Sequence, residues 1–64
     1  MKVKVGNLQV GDVVWIDNDQ ATILSVNKKA DGYDVYFKIH QSLPLTDFYR
    51  SKWIRKGTEV SLVC

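Results

Sequence analysis

A chain of 64 residues has room for one domain with one thin core, because a polypeptide this short buries only about 60% of the surface its unfolded form exposes. Apolar residues at 45% and charged residues at 25% are ordinary globular values, and a net charge of +2 is too small to announce a nucleic-acid binder by itself. The single cysteine, Cys64, excludes an internal disulfide; with no long apolar run and no apolar stretch after Lys2 and Lys4, the expectation is a cytoplasmic chain that does not enter membranes.

Val3 and Val5 alternate with Lys2 and Lys4 before Gly6 and Asn7, which predicts a short opening strand or extended arm. Gly11 and Asp12 then form a turn that feeds the apolar run Val13, Val14, Trp15, Ile16, a second strand. Asp17, Asn18, Asp19 and Gln20 make the next polar break, with side chains that bond their own backbone and favour turns. Ala21 to Val26 is β-branched and apolar enough for another strand, and the adjacent Ile23 and Leu24 break its alternation, which predicts a β-bulge.

Asp31-Gly32 between two β segments is a hairpin signal, attributed to positive φ at Gly32. The strand that follows alternates without a fault: Tyr33, Val35, Phe37 and Ile39 form an apolar row, while Asp34, Tyr36 and Lys38 point the other way. Residues 40–47 are a long connection whose Pro44 cannot serve a central ladder, and a short helical turn is expected within 41–53. Phe48 to Arg55 mixes aromatics with charge and fits a strand or a short helix. After Gly57, Thr58, Val60, Leu62 and Cys64 alternate with Glu59, Ser61 and Val63 as a closing strand. In so small a core Trp15, Tyr33 and Phe37 are all read as buried.

About five short strands at spacings of roughly ten residues, without a long amphipathic helix, predict an all-β domain curled into a small barrel. Curling lets both halves of the sheet bury their apolar rows and leaves fewer unpaired edges. The order of Leu8, Val10, Gly11, Asp12, Val13 and Val14, then Ala21, Thr22, Ile23, Ser25 and Val26, then Asp31, Gly32, Tyr33, Val35 and Phe37 resembles SH3-like small barrels. That architecture is shared by KOW and Tudor domains and many short phage or prophage proteins. The resemblance implies one antiparallel barrel of about five strands and a binding role. The chain lacks the further glycines of KOW domains after the first strand, and no Tudor-type cage maps onto its residues.

Catalytic chemistry finds no support in these residues, and the reading is of a protein that is not an enzyme. His40 has no cysteine or second histidine at ligand spacing, so no metal site is expected. Asp17 and Asp19 are read as turn formers rather than calcium ligands. Ser25, Ser42 and Ser51 lack a nucleophile-elbow context, and Gly11-Asp12 lacks the glycines that cradle phosphate, so no cofactor is expected.

The charge is lopsided: from Lys38 to Lys56 the chain carries Lys38, Arg50, Lys52, Arg55 and Lys56 against Asp47, five minus one or +4. Within it Tyr49, Arg50, Lys52, Trp53, Arg55 and Lys56 interleave rings with cations, and Tyr36, Lys38 and His40 align on the outer face of the preceding strand. Nucleic-acid surfaces use that mixture, cations on phosphates and aromatic faces on unpaired bases. The expected function is a non-catalytic binding module that contacts nucleic acid through one strip made of Tyr36, Lys38, Tyr49, Arg50, Lys52, Trp53, Arg55 and Lys56. Two alternatives stand beside it. In one, Tyr36, Tyr49 and Trp53 anchor a protein partner ringed by Arg50 and Arg55; in the other, Phe48 and Trp53 or Ile54 fill the core and the cations are merely solvated. A weak homodimer that buries Val63 or Trp53 is a further expectation.

Overall fold

The computed structural model describes residues 1–40 and 47–63. Six strands run in chain order: β1 (Lys2–Lys4), β2 (Val13–Ile16), β3 (Asp19–Lys29), β4 (Gly32–His40), β5 (Asp47–Arg55) and β6 (Glu59–Ser61), with one 3-10 turn at Val5–Asn7. The four central strands form an antiparallel sheet in the order β2-β3-β4-β5, and β1 pairs with β6. A bridge between Val14 and Leu62 joins the two sheets, reinforced where the Val63 N–H donates to the Val13 carbonyl at 2.9 Å. The result is an all-β, SH3-like barrel, curled and open beside β5. The helix alternative for residues 48–55 is thereby corrected to strand, as is the part of the helical turn expected within 41–53 that falls on 47–53; residues 41–46, with Pro44, lie outside the described residues.

The apolar rows close on one another as the alternation demands. Val35, Phe37 and Ile39 from β4 meet Ala21 and Ile23 from β3, with Val5, Leu8, Val14, Ile16, Ile54 and Val60 completing the core and Tyr33 packed partly against it. The bulge falls where the adjacent Ile23 and Leu24 required it, the β3–β4 register shifting between Ile23 and Ser25. The loop before β2 serves this irregular point: the Gly11 N–H donates to the Ile23 carbonyl, and the Ile23 N–H to the Asp12 carbonyl, both at 2.8 Å. Asp12 also stiffens its own loop, Oδ2 accepting from the Gln9 N–H at 2.9 Å.

Two expectations need correction. Trp15 is not core: the register sets Val14 and Ile16 inward, so the residue between them turns out and stays 44% exposed. The β3–β4 hairpin forms as expected, but Gly32 is already in β4, and the left-handed residue of its turn is Ala30, at φ 53°. The β2–β3 hairpin turns through Asp17 and Asn18, at φ 51° and 70°, the sign pattern of a type I′ turn.

Candidate functional site

Strand β5 pairs with β4 without a break, from Gly32 opposite Arg55 to His40 opposite Asp47. Directly opposed residues of an antiparallel pair share a face, so the buried row of β4 fixes the faces of β5. Ile39 and Phe37 stand opposite Phe48 and Arg50, and Val35 and Tyr33 opposite Lys52 and Ile54; these four β5 residues face inward. The outer face collects Asp34, Tyr36, Lys38 and His40 from β4 with Tyr49, Ser51, Trp53 and Arg55 from β5.

The single strip expected from the sequence is therefore divided by the strand period. Tyr36, Lys38, Tyr49, Trp53 and Arg55 lie together on the outer face, Arg50 and Lys52 on the inner one, and Lys56 in the turn after β5. The cations are not gathered on one flank. Nor do Phe48 and Trp53 fill the core: of the residues considered for that role only Ile54 is buried, while Phe48 and Trp53 are about half exposed.

On the outer face the Tyr36 and Tyr49 rings stack, centroids 6.2 Å apart and planes inclined by 23°. They meet diagonally, because Tyr36 stands opposite Ser51 and Tyr49 opposite Lys38. Trp53 continues the row. Its indole lies over Gly32, and its Nε1–H donates to the Lys29 carbonyl at 3.0 Å, so the ring reaches across β4 to the end of β3. All three rings keep large exposed areas, 42% for Tyr36, 59% for Tyr49 and 45% for Trp53. Around them, Lys29 pairs with Asp34 at 3.5 Å, and Thr22 Oγ1 and His40 Nε2 share a hydrogen bond.

The inner face of β5 is open because no strand lies beyond it among the described residues. A cleft of about 210 Å³ there has Phe37, Ile39 and Ile16 at its base and Arg50 and Lys52 at its rim. Lys52 crosses the opening to the β2–β3 turn, where its Nζ lies 3.0 Å from Asp17 Oδ1 and 3.1 Å from Oδ2. A larger cleft, about 390 Å³, runs between β5 and the β2 and β6 strands, with Trp15 and Trp53 along it and Ile54 and Val60 at its base.

Sequence reasoning missed Trp15 and Phe48 as exposed rings. The signal for Trp15 was present in its position between two aliphatics, but a continuous apolar run carries no phase of its own. Lys56 shares a small cleft with Lys4, Asn7 and Tyr33, residues far from it in sequence. Among the described residues no three His, Cys, Asp or Glu side chains gather to hold a metal ion, and no helix is long and apolar enough to cross a membrane.

No family model matches the chain. Neither any curated protein nor any solved structure matches it.

Proposed function

We propose that the protein is a non-catalytic module that binds single-stranded nucleic acid on the outer face of β4 and β5. The observation that carries this reading is the exposed row Tyr49, Tyr36 and Trp53 on one sheet face, with Lys38 and Arg55 beside it. Rings on a sheet surface offer unpaired bases a stacking platform, and every base has a face to stack. A duplex hides those faces, so the reading is specific to single strands. Lys38 and Arg55 serve the phosphates, joined by Lys56 at the end of β5; Arg50 and Lys52, on the other face, contribute only to the general field.

Fluorescence anisotropy of a labelled single strand, titrated at several salt concentrations, tests it. Three phosphate contacts give a log-log slope of about -2 for a single strand, with weaker binding to a duplex of the same sequence. No binding at low salt, or equal binding of the duplex, overturns the reading.

A second reading is favoured by the larger cleft, which Trp15, Trp53 and Arg55 line together with Ile54 and Val60. Tryptophan and arginine are the residues on which protein interfaces concentrate their energy. A protein seated there would be captured in a salt-tolerant way, and Trp15→Ala would abolish capture while single-strand binding survives.

A further inference from the structure

Among the described residues β5 has one unpaired edge. The strand is nine residues long and holds an unbroken register with β4 on one side; on its other side no strand pairs with it among the described residues. Such an edge presents a row of backbone donors and acceptors to any second strand. Neither a proline nor a bulge interrupts it.

Its sequence, Asp47-Phe-Tyr-Arg-Ser-Lys-Trp-Ile-Arg55, is chemically self-complementary about Ser51. Folded back on itself antiparallel, position 49 meets position 53, Tyr against Trp, and position 48 meets 54, Phe against Ile. Each of those pairings is of a kind that stabilises adjacent strands. The faces agree as well: positions 49, 51, 53 and 55 share the outer face, and 48, 50, 52 and 54 the inner one. The one mismatch sets Arg50 against Lys52, and Lys52 already has the Asp17 carboxylate 3.0 Å away.

We propose that β5 pairs antiparallel with β5 of a second copy of this chain, with Ser51 on the two-fold axis, joining the two four-stranded sheets edge to edge. The interface is isologous, as closed dimers require: the same patch serves both subunits. Tyr49 stands opposite the partner's Trp53 in register, and Phe48, exposed in one chain, stands opposite the partner's Ile54. The like-charged pairing of Arg50 with the partner's Lys52 keeps the association weak and reversible. Edge-to-edge pairing leaves the outer faces of both sheets outward, so the inference stands whether or not that face binds nucleic acid.

Sedimentation equilibrium from micromolar to millimolar concentration, without nucleic acid, tests the proposal with three chains. The unaltered protein gives a concentration-dependent monomer–dimer equilibrium. Arg50→Glu turns the mismatched pair into an opposite-charge pair and leaves the Asp17–Lys52 contact in place; it tightens the dimer about tenfold. Ser51→Cys, in a Cys64→Ser background, is the one position that meets itself. Cα atoms of directly opposed residues lie about 4.5–5.5 Å apart, within disulfide reach, so oxidation yields a covalent dimer. The control Ser25→Cys, on β3, does not. A protein that stays monomeric at millimolar concentration overturns the proposal. So does a dimer whose strength ignores Arg50→Glu, or one that cross-links through residue 25 as readily as through residue 51.

Discussion

The indole of Trp53 occupies the space that a side chain on Gly32 would need: a Cβ built there would lie 2.5 Å from Cε2 and Cζ2 of the ring and 2.5 Å from the Ile54 carbonyl oxygen. The glycine is therefore a packing requirement rather than a turn requirement. One of the obstacles is backbone, which cannot swing aside. Gly32→Ala is expected to cost about 1–3 kcal/mol, the range for overpacking a filled site, read as a lower denaturant midpoint with an unchanged slope. A neutral result would mean that Trp53 is not seated over β4.

Ala30 carries the left-handed conformation of the β3–β4 turn at φ 53°. For a residue with a Cβ that conformation costs about 1–2 kcal/mol, whereas glycine adopts it freely and loses about 0.5–1 kcal/mol in chain entropy. Ala30→Gly should therefore stabilise the protein by about 0.5 kcal/mol. Thermal unfolding of the two chains side by side checks the sign. A lower melting temperature for the glycine variant contradicts it.

These two residues also mark the limit of what could be read from the chain. Strict alternation over Tyr33 to Ile39 placed β4 and its faces, and the Ile23-Leu24 doublet placed the bulge, because both signals are local. Asp31-Gly32 gave the right hairpin for a reason the backbone does not use, since the need for glycine comes from the Trp53 ring and the Ile54 carbonyl, residues on β5 remote from it in sequence. The two faces of β5 were hidden for a related reason. Its inward positions 48, 50 and 52 border the open side of the barrel and can hold Phe, Arg and Lys, so the apolar alternation that reveals a strand is lost. Tyr36 and Lys38 were legible as neighbours on one face; their alignment with Tyr49 and Trp53 depends on the β4–β5 register, which no local pattern encodes.

Asp17 and Lys52 connect the β2–β3 turn to the free strand, with both side chains substantially exposed, 63% and 45%. Exposed pairs contribute about 0.2–1 kcal/mol and are screened by salt. Asp17→Asn isolates the charge, because asparagine accepts the left-handed conformation of position 17 as readily as aspartate. In a double-mutant cycle with Lys52→Gln the coupling should fall within about 0.2–1 kcal/mol at low salt and fade at high salt. Coupling that persists undiminished in molar salt would contradict a solvent-screened ion pair between the two residues.

Tyr49 is the most exposed ring of the outer row, so it separates binding from folding better than Trp53, which holds Lys29. Tyr49→Ala should leave thermal stability within about 1 kcal/mol, the scale of a cross-strand pair. It should weaken single-strand binding by about 1–3 kcal/mol, the contribution of one stacked base. Arg55→Ala should instead reduce the salt slope by about 0.7 with a smaller loss in affinity at high salt, because it removes one phosphate contact and no stacking. Stacking and charge then appear in different observables of one titration. If Tyr49→Ala changes only the salt slope, or if neither variant affects binding, the row of rings is not where the bases lie.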